Sequence, residues 1–90
     1  MPRSFDKNCR VCGLMQAEPV WGDDGNSPTF EICACCGVQF GYGDDTVDNC
    51  HAIRKHWIKV ENMKWLVPNE KPIRWSWEQQ KQLIPPEFRN

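Results

Sequence analysis

The sequence lacks the features of several protein classes. No apolar run approaches the roughly 20 residues that a transmembrane helix needs, and the first eight residues contain no apolar core of a secretory signal. Neither sign of charge is in excess, because 11 Lys and Arg residues face 12 Asp and Glu residues for a net charge of −1. We therefore expect a cytoplasmic protein without a membrane partner, and the net charge indicates no class of partner.

The chain also lacks familiar catalytic motifs. It contains no G-x-S-x-G, no Walker loop and no H-E-x-x-H. Its two histidines, His51 and His56, are five positions apart, about 140° around a helix, so they do not face one ion. Solvation and helix capping account for the acid pairs at 23–24 and 44–45. We predict that the protein is not an enzyme, and no small-molecule substrate is evident.

Cysteine and tryptophan are abundant, with six and five residues in a chain of 90. Two C-x-x-C pairs are separated by 20 residues, at the upper end of the spacing in zinc sites. A glycine follows each pair, Gly13 and Gly37, and glycine completes the sharp turn between two ligands at low cost. This pattern predicts one structural Zn²⁺ bound by four thiolates. The predicted ligands are Cys9, Cys12, Cys33 and Cys36.

Two other interpretations of the cysteines are weaker. A disulfide framework requires an oxidising compartment, and a redox C-x-x-C would need a βαβ pattern that is missing. Cys35 is expected to point outward as an accessible thiol; as a ligand in place of Cys36 it would leave the turn one residue short. Cys50 is expected to be buried by packing, because it lies on the apolar stripe of a helix.

The pattern of turn and apolar residues predicts an α+β fold. Residues 18–21 and 29–32 are typical of two short strands joined by a polar turn, and residues 38–43 of a third. We therefore predict a small zinc ribbon, in which a three-stranded antiparallel sheet carries two zinc knuckles. The chain is predicted to be a single domain over residues 1–90, with the ribbon in 1–45 and a helical, tryptophan-rich part in 46–90.

Two helices are predicted to pack on the ribbon. The first covers about residues 46–62, begins at an Asp or Thr cap, and has a buried stripe. The stripe consists of Val47, Cys50, Ile53, Trp57 and Val60. Ser76 caps a second, short helix that Pro85 and Pro86 end. Most aromatic residues, Phe5 among them, are expected in the core.

One segment resembles a known family. Residues 30–45, FEICACCGVQFGYGDD, resemble small bacterial cysteine-rich proteins of the CPCC-like zinc-ribbon group, and the likeness continues through the helix to Lys64 and Trp65. Ala34 stands where the group usually has proline, and Gly43 is inserted before the acids. The resemblance implies the zinc and the ribbon. Some members of the group are immunity or accessory proteins beside bacterial toxins, which implies a role of that kind here.

Charge is unevenly distributed along the chain. Residues 1–50 carry three basic and eight acidic residues, a net charge of −5, whereas residues 51–90 have a net charge of +4. The acidic half favours a module that binds a basic protein partner. The alternative is a nucleic-acid-binding zinc ribbon that uses the basic, tryptophan-rich half. The residues for that alternative are Arg54, Lys55, Lys59, Lys64, Arg74 and Lys81 beside Trp65, Trp75 and Trp77.

Overall fold

The computed structural model describes residues 6–89, in which loops and turns alternate with short helices. Helix α1 is Val47–Lys59 and helix α2 is Trp77–Gln80. Single 3-10 turns are formed by Pro68–Glu70, Lys81–Leu83 and Pro86–Phe88. No helix in this part of the chain has the length and apolar character needed to cross a bilayer.

The predicted three-stranded sheet, and with it the α+β class, is wrong. Residues 6–89 contain no β-strand, and their only bridges are the isolated pairs Asn8–Met15 and Ile32–Gln39. The first hairpin does begin, because the Thr29 amide donates to the Val20 carbonyl at 3.1 Å. The next residue, Phe30, then has φ of +63°, outside the extended region, and the ladder ends there.

Helix α1 begins where the sequence predicts and ends three residues earlier. The Thr46 side chain accepts a hydrogen bond from the Asn49 amide, so Thr46 is the N-cap. The predicted buried stripe is only partly correct, because Val47 and Val60 are exposed. Arg54, which is not part of the predicted stripe, is 7% exposed and lies between the buried Cys50 and Trp57.

The core combines the cysteines with large aromatic residues from both halves of the chain. Trp57 and Trp65 are buried, and each contacts a half-buried tryptophan edge to face: Trp57 meets Trp77 at 5.2 Å, and Trp65 meets Trp75 at 5.8 Å between ring centroids. The tryptophans are therefore packing residues, as predicted. Phe5, also predicted for the core, lies outside the described residues.

The C-terminal segment, residues 77–89, covers part of the cysteine-rich region. Ser76 accepts a hydrogen bond from the Gln79 amide at 3.4 Å, as the capping pattern predicts. After α2 the chain continues through its last two 3-10 turns. On this path Gln80 and Ile84 pass directly over Gly13, so the end of the chain is in contact with the first C-x-x-C pair.

Candidate metal centre

The two C-x-x-C pairs lie in loops of the same conformation, here called the first knuckle (residues 8–15) and the second knuckle (residues 32–39). In the first, the Gly13 amide donates to the Cys9 carbonyl at 2.9 Å. In the second, the Gly37 amide donates to the Cys33 carbonyl at 3.0 Å. Each residue of the first has its counterpart 24 positions later, and both glycines have positive φ, +86° and +82°. The repeated C-x-x-C-G pattern therefore forms a repeated turn.

The four predicted ligand cysteines come together. Their sulfur atoms all lie within 4.8 Å of one another. Two of these separations are 3.7 Å, between Cys9 and Cys36, and 3.6 Å, between Cys12 and Cys33, whereas a disulfide bond is about 2.05 Å long. All four thiols are free and at most 9% exposed. The cluster joins one knuckle to the other and can hold a metal ion.

Burial and mutual hydrogen bonds shift the pKa values of Cys12 and Cys33 in opposite directions. Burial, reinforced by the neighbouring Cys33, raises the pKa of Cys12 well above its usual value. Hydrogen bonds from the other cysteines, Cys12 first, lower the pKa of Cys33. A cation at the centre of the cluster would favour the thiolate form of all four cysteines.

The two remaining cysteines are both buried. Cys35, expected to be an accessible thiol, is fully buried at the position matching Val11 of the first knuckle, so that prediction is wrong. Cys50 is buried, as predicted, and burial raises its pKa to about 12. Both side chains are packing residues in this structure.

Gln80 is a contact residue of the cluster that the sequence analysis missed. Its Nε2 donates to the Cys12 carbonyl at 3.0 Å and contacts the Cys35 sulfur at 3.5 Å, and its Oε1 accepts a hydrogen bond from Trp75. The side chain is 7% exposed and links both knuckles to α2. Nothing in the local sequence distinguishes it from its neighbour Gln79, because the contact spans 68 positions.

Arg54 is a second contact residue that the sequence analysis missed, although its position on α1 does indicate that it is buried. Its Nε donates to the Val11 carbonyl at 2.6 Å, and its Nη2 donates to the carbonyls of Arg10 and Phe88. Four positions after Cys50 and three before Trp57, it occupies the buried face of α1. It holds the first knuckle against both α1 and the end of the chain.

Asp44 and Asp45 differ, contrary to the explanation by solvation and capping. Asp44 is fully buried and accepts hydrogen bonds from Trp21 Nε1 at 3.0 Å and from the Gly41 amide at 2.8 Å. Asp45 is exposed, and a hydrogen bond from Asn49 lowers its pKa. Only Asp45 belongs to the acidic surface, whereas Asp44 organises the loop before α1.

Comparison with known proteins does not show a family for this chain. No protein-family model matches it, and neither does any solved structure. The uncharacterised protein YozI of Bacillus subtilis (strain 168) is 38% identical over 48 residues. That match covers 50% of this chain and 37% of YozI, so the chain corresponds to little more than a third of its relative. The resemblance to the CPCC-like group stays a prediction.

Proposed function

We propose that the four clustered cysteines bind one Zn²⁺ and that this ion is structural. The main support for this proposal is the distance between the sulfur atoms. With Zn–S bonds of about 2.3 Å, a tetrahedral site separates its sulfurs by about 3.8 Å. Two sulfur pairs, at 3.6 and 3.7 Å, are near that value, and all pairs lie within 4.8 Å.

A structural role is the one that four thiolates favour. Catalytic zinc keeps a coordination position for water or substrate, whereas four cysteines complete the tetrahedron. Burial of the sulfurs also keeps solvent from the centre. Thiolates select zinc or iron, and zinc is the ion we propose because two C-x-x-C pairs at this spacing are typical of closed zinc sites.

Metal analysis tests this part of the proposal. Protein produced in medium with equal zinc and iron is expected to contain one zinc per chain and to show no visible absorption. Cys50→Ser is the matched control, because it removes a buried cysteine outside the cluster and should retain the zinc. Iron, two metal ions per chain, or unchanged folding after complete chelation would contradict a structural zinc site.

The protein acts by binding a basic protein partner, and its interaction surface is centred on two exposed aromatic residues. Phe30 and Tyr42 are 50% and 73% exposed, with ring centroids 5.5 Å apart. The Phe30 ring packs on Gly41, where an added Cβ would lie 2.8 Å from it. Aromatic side chains held in this way lose little entropy on binding and are frequent at interface hot spots.

Exposed acidic residues close to this aromatic pair in the sequence support the choice of partner. Glu31 follows Phe30 directly and is exposed, as are Asp45 and the turn acids Asp23 and Asp24. Acidic groups beside an apolar contact accelerate association with a basic protein and disfavour acidic ones. A toxin that acts on nucleic acid is basic, so an immunity or accessory protein for such a toxin is the role that we propose.

Co-purification tests the partner. Tagged protein isolated from its host and analysed by native mass spectrometry is expected to retain zinc and a basic protein. Replacing both Phe30 and Tyr42 by alanine should reduce the affinity for that protein at least about tenfold while the zinc content stays unchanged. Ile73→Ala, at a fully exposed apolar residue, is the control and should bind normally. Retention of nucleic acid in place of protein would favour the alternative function.

The nucleic-acid alternative has less support from the structure. Base stacking needs exposed aromatic faces, but Trp65 is 3% exposed and Trp75 and Trp77 are half-buried against other tryptophans. Arg54 is committed to backbone carbonyls. The basic half therefore offers positive charge without the stacking surface that single-stranded nucleic acid requires.

A further inference from the structure

Gln16 lies directly after the first knuckle and contacts a sulfur atom of the second. Its backbone amide donates to the Lys7 carbonyl at 2.7 Å, which fixes the position of residue 16 beside the first knuckle. Its side-chain Nε2 donates to the Leu14 carbonyl at 3.1 Å and to the Cys33 sulfur at 3.7 Å. Gln16 therefore reaches from one knuckle to a candidate metal ligand of the other, 17 positions away in the chain.

The side-chain amide of Gln16 is oriented so that both of its protons have an acceptor. The nitrogen of a glutamine side chain has two N–H groups. One donates to the Leu14 carbonyl, and the other is directed to the Cys33 sulfur. Because a carbonyl and a thiolate are both acceptors, the nitrogen end of the amide faces the cluster. The side chain is half-buried, so water competes only in part for this contact.

The repeat that relates the two knuckles breaks at Gln16. Matching residues are 24 positions apart, so the counterpart of Gln16 is Phe40, a buried residue whose side chain has no N–H group. The counterpart of Cys33 is Cys9, whose sulfur is contacted by the Val11 backbone amide at 3.4 Å. Among residues 6–89, Cys33 is thus the one cysteine of the cluster whose sulfur accepts from a side-chain amide.

We propose that Gln16 is a positioning residue of the metal centre, which donates a hydrogen bond to the Cys33 thiolate. This inference rests on the zinc site proposed above. Four thiolates give a zinc centre a net negative charge, and hydrogen bonds from surrounding residues orient the ligands and tune the bound metal. An N–H donor stabilises the thiolate that accepts it. Gln80 has a different role, because its amide contacts the Cys12 carbonyl and Cys35, which is outside the predicted ligand set.

The zinc affinity of three variants of the full chain, measured by competition with a chelator, tests the proposal. Gln16→Leu removes the donor and should weaken zinc binding about tenfold, at the lower end of the usual effect of such residues. Gln16→Glu keeps the shape but places a carboxylate beside the thiolate, so it should weaken binding further. Gln39→Leu is the matched control, because the Gln39 amide donates to the Phe30 carbonyl and not to a sulfur. If Gln16→Glu bound zinc as tightly as the unaltered chain, Gln16 would only fill space and the proposal would be overturned.

The charge-transfer band of the cobalt-loaded chain is a readout that a packing role would not move. A thiolate without its donor gives up an electron to cobalt more easily, so Gln16→Leu should shift the thiolate-to-cobalt band to longer wavelength. Gln39→Leu should leave the band in place. An unchanged band in Gln16→Leu would refute the hydrogen bond and leave the zinc site intact. If the unaltered chain bound neither zinc nor cobalt, the zinc site itself would be wrong and this inference with it.

Discussion

The two cysteine knuckles have the same local structure but different surroundings. Both have the same backbone hydrogen bonds and a glycine with φ near +85°. The first knuckle is covered by Gln80 and Ile84, which leave no room for a Cβ on Gly13. At Gly37 the nearest atoms to such a Cβ belong to the exposed Leu66, 3.9 Å away. The turn inside each knuckle is thus a local property, whereas contact with the C-terminal segment distinguishes the first knuckle.

The largest effect is expected from replacing a cysteine of the cluster, and it should be equal for the two knuckles. Cys12→Ser and Cys36→Ser each remove one sulfur of the cluster, and both should lose the proposed zinc and unfold, because metal binding supplies on the order of 10 kcal/mol in small zinc domains. Circular dichroism and metal analysis on the two variants measure this. A variant that keeps its metal and fold would show that its sulfur is not a ligand.

The next prediction concerns Arg54 and should affect the first knuckle more than the second. Arg54→Met should reduce the free energy of unfolding by about 3 kcal/mol, because hydrogen bonds from a charged group to buried carbonyls are lost. Hydrogen exchange of the Gly13 amide should accelerate more than that of the Gly37 amide, since Arg54 contacts the first knuckle. Arg74→Met, at an exposed arginine, is the control. Equal acceleration at both glycines would mean that the knuckles open together.

Alanine at the two glycines compares the surroundings directly. Gly37→Ala should cost about 1 kcal/mol, the strain of a left-handed backbone with a side chain. Gly13→Ala bears the same strain, and its Cβ would lie 2.5 Å from the Gln80 carbonyl oxygen, so the total should reach about 2–3 kcal/mol. Chemical denaturation of both variants measures the difference. Equal losses would mean that the C-terminal segment moves aside at little cost.

The smallest effect is expected at Cys35, the counterpart of Val11. Cys35→Ser should keep one zinc and lose about 1 kcal/mol, because a hydroxyl replaces the thiol beside Gln80 in a buried position. Metal analysis and thermal unfolding of the variant check both parts. If Cys35→Ser lost the zinc and Cys36→Ser retained it, the ligand in the second knuckle would be Cys35 and not Cys36.

Features set by neighbouring residues could be predicted from the sequence, and those set by distant ones could not. The C-x-x-C-G spacing predicts the cysteine cluster, and Thr46 and Ser76 cap their helices as expected. The strands at 18–21 and 29–32 are predicted from the polar turn between them, a pattern that contains no sign of the positive φ at Phe30. The hydrogen bonds of Arg54 to a carbonyl and of Asp44 to an indole are not predictable from the local sequence, because these partners lie far away in the chain.

The sequence by itself determines the two knuckles, because ligand spacing and a glycine that tolerates positive φ are short-range properties. Only the tertiary structure decides which knuckle is covered and which charges are buried. Those outcomes depend on how the C-terminal segment crosses α1 and the first knuckle. Its contacts join residues as far apart as Cys12 and Gln80. Burial at that distance follows from packing the whole chain, which no local pattern encodes.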